Sequence, residues 1–168
     1  MGKLVDTGIE DKRWKELGLK KLAEQAARAV LAELGLAEPE TKRKAHAISL
    51  LGCDDTRIAR LNATFRDKPQ PTNVLSWPEW DLSATVPGGL PERPAPGAAL
   101  GNIAIAWETC AREAAEQGKP MIDHVTHLIV HGTLHLLGYD HSDDSDAARM
   151  EGLEVKILAS LGLSDPYH

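Results

Sequence analysis

Between Arg13 and Leu34 the apolar residues Leu17, Leu22, Ala26, Val30 and Leu34 recur every four or five positions, and Gly35 follows. That spacing predicts an amphipathic helix that stops at the glycine. The run AHAISLL from Ala45 to Leu51 reads as a strand ending at Gly52. Asp54 or Asp55 can then cap a second helix, whose apolar face is Ile58, Leu61 and Phe65. A short strand is predicted at Asn73 to Trp77, closed by Pro78. Residues 79 to 99 hold Pro87, Gly88, Gly89, Pro91, Pro94, Pro96 and Gly97, a density of breakers that means a loop. Leu100 to Trp107 supplies a third strand, and helical sequence continues to about Gln117. Beyond Gly118 and Pro120, a long apolar helix is predicted from about Met121 to Leu137. After Gly138 the polar turn YDHSDDSD leads to a last helix, with Met150, Leu153, Ile157 and Leu161 on one stripe. Strands separated by helices predict an α/β (α+β) class, with one small mixed sheet packed by about five helices and candidate chemistry on a central helix.

Composition narrows the class. The chain has 168 residues, 42% hydrophobic and 26% charged, which fits one globular domain spanning 1–168. A chain of this size buries roughly 70% of its unfolded surface, so no disulfide staple is required. Cys53 and Cys110 are the only cysteines and form no CxxC pair, which argues against a Cys-ligated metal, an iron–sulfur cluster or a disulfide framework. Both thiols read as small buried apolar groups. The first residues, MGKLVDTGIEDKRWKE, lack the apolar core of a secretory signal, and no apolar run nears the ~18 residues of a membrane span, so a cytoplasmic protein is expected. A net charge of -6 excludes a broad basic coat for nucleic acid but not a small local site. Residues 53 to 78 illustrate this: Arg57, Arg60, Arg66 and Lys68 face Asp54, Asp55 and Asp67, a local excess of one positive charge.

Histidine changes the picture most. Five of the seven histidines lie in the eighteen residues from His124 to His141, HVTHLIVHGTLHLLGYDH. At 100° per residue, His124, His127, His131 and His135 fall within an arc of about 80° on one helix face. His131 and His135 are one turn apart, so their rings can lean toward a single ion. Gly138 permits a left-handed turn that can return His141 to the same point. Three neutral imidazoles leave one tetrahedral position open, the ligand count of a catalytic zinc. Such an ion lowers the pKa of its water from 15.7 toward about 7, which points to hydrolysis. His124 and His127 read either as partly buried polar residues or as groups that touch substrate or orient a ligand. Asp140 reads equally as a turn cap or as an acceptor beside the third ligand. In the related HExxHxxGxxH pattern of zinc proteases a glutamate follows the first histidine; here that position is Gly132, so the protease's general base is missing.

The segment HGTLHLLGYDH from His131 to His141 closely resembles the hallmark motif of the YbeY family of bacterial endoribonucleases. Leu61-Asn62 with Phe65-Arg66, PTNVLSWP from Pro71 to Pro78 and LGNIAI from Leu100 to Ile105 resemble the family's other blocks in the same order, so the likeness covers most of residues 46 to 162. The resemblance implies one zinc ion held by His131, His135 and His141, with Arg66 as the functional arginine beside it. It implies a single-strand-specific endoribonuclease that works on the 3′ end of 16S rRNA and in ribosome quality control, with rRNA and the small ribosomal subunit as partners. The expected nucleophile is a water activated by the ion, with Arg66 stabilising the phosphate through its permanently charged, bidentate guanidinium. Asn73 and Asn102 stand where aspartate is expected in the family, which would matter if either supports Arg66 or a ligand. Trp77 and Trp80 flank the Pro/Gly loop as candidate base-stacking residues, Trp77 fitting core packing better. Two other readings are a ribosome-assembly factor whose metal is non-catalytic and a metalloprotease.

Overall fold

A computed structural model describes residues 3–36, 47–86 and 88–167. Its elements run β1 (Val5–Ile9), α1 (Lys12–Leu17), α2 (Leu19–Glu33), β2 (Ile48–Cys53), α3 (Asp55–Arg66), β3 (Val74–Pro78), β4 (Gly101–Ala106), α4 (Trp107–Gln117), α5 (Met121–Leu136) and α6 (Asp144–Ser160). The strands form one mixed sheet in the order β1-β2-β4-β3. β1 and β4 pair parallel to β2, and β3 pairs antiparallel to β4, placing Val74 opposite Ile105 and Trp77 opposite Asn102.

Strand alternation builds two cores of unequal size. Ile48 and Leu50 of β2 with Ile103 and Ile105 of β4 face the larger one, where α2, α5 and α6 contribute Val30, Ile129, Leu134, Met150 and Ile157. The opposite residues, Cys53, Ala104 and Ala106, meet Ile58 of α3 and Leu75 of β3 in the smaller one. Both cysteines are free and buried, and burial pushes the Cys53 thiol up to about 12 and Cys110 higher still, so they act as packing groups. α5 packs against β3, β4, α2, α4 and α6, which makes it the central helix of the fold. Its apolar residues are buried on nearly every side, leaving the histidine stripe as the one polar seam.

Several expectations are corrected. The strand β1 does not appear in the sequence reading, because Val5–Ile9 is short and half polar; it is held by pairing with β2, and by Glu24 of α2, whose carboxylate accepts the Leu4 and Val5 amides at 3.0 Å. The helix predicted from Arg13 to Leu34 is two helices, divided at Gly18, whose left-handed conformation (φ 86°) ends α1. Among the described residues there are thus six helices, in keeping with the expected five or so. The strand predicted from Ala45 runs from Ile48 to Cys53; residues 45 and 46 lie outside the described ones. Trp107 opens α4 instead of ending β4. Phe65, assigned to the apolar face of α3, is 62% exposed and packs edge-on to Trp77. The predicted cap of α3 does form: the Asp54 carboxylate accepts the Arg57 amide at 2.8 Å. No helix among the described residues is long and apolar enough to cross a membrane.

Candidate metal centre

The seam on α5 and the turn after it bring three imidazoles together. One ring nitrogen from each of His131, His135 and His141 lies within 4.8 Å of the others. His131 and His135 approach with their Nε2 atoms 3.1 Å apart. Two nitrogens bound to one tetrahedral zinc at about 2.0–2.1 Å would stand roughly 3.3 Å apart, so this pair is already at the spacing of a shared cation. The His141 ring stacks toward His131 (centroids 5.7 Å, interplanar angle 28°) and meets His135 edge-on at 5.3 Å. All three are borderline nitrogen donors with no thiolate among them, which suits zinc and neighbouring transition ions.

The turn that returns His141 depends on Gly138. Its φ of +94° is one that side chains rarely adopt, and a Cβ there would stand 2.5 Å from the Leu82 carbonyl oxygen. Asp140 accepts the His141 amide at 2.7 Å, the contact expected of a turn cap, and also lines the cleft beside the trio.

Glu154 of α6 is the feature the sequence reading missed. It is 1% exposed. Its Oε1 lies 2.9 Å from His127 Nε2 and 3.1 Å from His131 Nδ1, while Oε2 accepts the Tyr167 hydroxyl at 2.9 Å. Burial alone would raise this carboxyl, but hydrogen bonds from His127 and His131 outweigh it and hold the group down at about 2. An ionised carboxylate only accepts, so His131 carries its proton on Nδ1 and directs the Nε2 lone pair at His135 and His141. This is the carboxylate–histidine arrangement that orients metal ligands. The signal was present: Glu154 lies four residues after Met150 and three before Ile157, within the buried stripe of the last helix. The Glu154→Gln variant is expected to fold and to bind zinc 10–100-fold more weakly, as measured by competition with a chromophoric chelator. Because the folded carboxyl sits at about 2 against 4.5 when unfolded, its stabilisation is complete above pH 4.5 and is lost as pH falls toward 2. Acid unfolding of the glutamine variant should lack that limb.

His135 is held near 4, first by burial and then by the neighbouring His131 and His141 rings. It is therefore neutral at physiological pH and needs to shed no proton to bind an ion. Of the other two stripe residues, His127 joins the Glu154 network, and buried His124 bonds Glu113 at 2.9 Å, away from the trio. His124 is thus a buried, hydrogen-bonded residue away from the trio, while His127 lies in the cleft and connects to His131 through Glu154.

Arg66 ends α3 on the rim of the cleft, where its Nη2 donates to the Ser76 carbonyl at 3.1 Å. With Ser76 and His135 it lines both of two adjoining cavities, of about 590 and 450 Å³. The structure thus puts Arg66 in the same cleft as the histidines. Asn73 and Asn102 do not support this centre. The Asn73 amide donates to Glu113 at 3.0 Å and its oxygen accepts the Val74 amide, while Asn102 is exposed on β4. Trp77 packs on the smaller core, whereas Trp80 stands in the larger cavity.

The family model described as Endoribonuclease YbeY matches residues 6–162. A curated relative of that name from Ruegeria pomeroyi is 59% identical over 167 residues, covering 97% of both chains. Another, from Cereibacter sphaeroides, is 54% identical over 172 residues and covers 99% of this chain and all of its own. A solution structure of a protein from Thermotoga maritima has the same fold, with a TM-score of 0.55 at 20% identity over 96% of this chain and 97% of that one. Sharing more than half of its residues with these curated relatives along nearly their whole length, the chain belongs to the endoribonuclease YbeY family.

Proposed function

We propose that the chain is a single-domain, zinc-dependent endoribonuclease that cleaves single-stranded RNA, matures the 3′ end of 16S rRNA on the small ribosomal subunit and serves ribosome quality control in the cytoplasm. The observation that carries this reading is the convergence of His131, His135 and His141 in the cleft that Arg66 lines. A divalent cation bound there supplies positive charge to a phosphodiester and lowers the pKa of a water toward about 7. Arg66 binds phosphate oxygens through its planar fork, positioned by the Ser76 carbonyl. Glu154 fixes the His131 ring so that its Nε2 would face a bound ion, and Tyr167 and His127 hold Glu154 in place.

Gly132 stands where a zinc protease carries its general-base glutamate. A Cβ at Gly132 would stand 3.2 Å from Ile103 Cδ1, so a glutamate at this position would start against the sheet.

Elemental analysis and cleavage assays together test the proposal. Purified protein should hold close to one zinc per chain and cut a labelled single strand at least tenfold faster than the same sequence in a duplex. Dialysis against a chelator should abolish cutting, and zinc should restore it. A metal-loaded protein that binds small ribosomal subunits but cuts no RNA would replace this reading with that of an assembly factor.

A further inference from the structure

The cleft has two arms that meet at Arg66, Ser76 and His135, and the arms differ in chemistry. Among the described residues the 450 Å³ arm is lined by Lys68 as well as Arg66 and by no carboxylate. The 590 Å³ arm adds no cation beyond Arg66; instead it holds Asp81, Asp140 and the indole of Trp80. Polyanionic backbone is favoured in the first arm over the second, where two carboxylates oppose it, while an aromatic face with nearby acceptors suits a base.

Trp80 is built to receive one. It is 55% exposed, yet its position is fixed: the indole Nε1 donates to the Ala99 carbonyl at 3.1 Å. The backbone on either side is tied down as well, by Glu79 N to Leu100 O at 2.9 Å and by Glu92 N to Leu82 O at 2.8 Å. Leu82, two residues on, is buried. An exposed indole held in place by its own N–H loses little freedom when a ring stacks on it. Among the described residues the other large exposed aromatics are Phe65 and Tyr167, and neither lines this arm.

We infer that the strand crosses the cleft with fixed polarity of chemistry: an unpaired base stacks on Trp80 in one arm while backbone phosphate is held by Lys68 in the other, with Arg66 and the histidines between them. This rests on the nuclease reading of the same site, and it supplies a physical reason for single-strand preference, because a paired base cannot leave its stack without cost.

Fluorescence anisotropy with a 5′-fluorescein decamer of 2′-O-methyl RNA, its integrity checked on gels, tests the inference on zinc-loaded protein. Trp80→Ala should raise Kd about tenfold, and Trp80→Phe no more than about threefold, with the salt dependence of both unchanged. Lys68→Ala should instead flatten the slope of log Kd against log salt by about 0.7. Moving one abasic nucleotide along the decamer should reveal a position that costs affinity in the parent protein and costs nothing in Trp80→Ala. Equal Kd values for the parent and Trp80→Ala, or an abasic penalty that survives in that variant, would overturn the stacking arm and leave the nuclease reading intact. A parent protein that binds no decamer would overturn both.

Discussion

Replacing His135 with alanine is expected to empty the centre and to slow single-strand cleavage on the order of 10³-fold, the upper end of what losing one preorganised hydrogen-bond donor to a transition state costs. The trio is the minimum set: two imidazoles and solvent do not hold zinc against a dilute chelator, and His131 and His135 are the pair already at ligand spacing. Inductively coupled plasma analysis should find less than a tenth of an equivalent of zinc in the variant. The metal-free proteins provide the structural control. The His135 ring is held at about 4 against 6.5 when unfolded, so it stays neutral while the unfolded chain takes up a proton. Metal-free parent protein should therefore lose stability as pH falls from 6.5 to 4, and the alanine variant should lose less over the same window. A variant that keeps its zinc and its activity would remove the histidine trio from the mechanism.

The second large effect is at Arg66. Arg66→Ala should lower kcat/KM by about 10²-fold with one zinc per chain retained. Arg66→Lys should recover only part of this, since an ammonium keeps the charge but not the fork that grips two phosphate oxygens. Thermal stability should barely change, because the side chain is exposed and among the described residues donates one hydrogen bond, to the Ser76 carbonyl. This pattern of intact metal with slow cleavage separates a phosphate-binding role from a ligand-supporting one. If zinc content falls in step with activity, Arg66 acts on the centre and not on the substrate.

The centre was legible because helical periodicity acts at short range. His131 and His135 are bound to share a face, and a glycine at position 138 is the residue that lets the chain turn back. Glu154 and Tyr167 reach the same place through packing of α5 against α6 and of the chain's last turn against both, which no local spacing encodes. The same limit explains β1, where Val5–Ile9 becomes a strand by pairing with residues more than forty positions away. Phe65 shows the converse failure. Its helical position matched the apolar face of α3, but the smaller core is filled by Ile58, Leu75 and two alanines, and the ring remains outside over Trp77. Asn73 and Asn102 could not be weighed from the sequence, because only their neighbours show that they leave Arg66 and the trio untouched.

At Gly138 any added Cβ would run into the Leu82 carbonyl oxygen, so the turn bearing His141 lies close against the segment bearing Trp80. By thermodynamic reciprocity, whatever factor a bound cation adds to the affinity for an oligonucleotide, a bound oligonucleotide adds to the affinity for the cation.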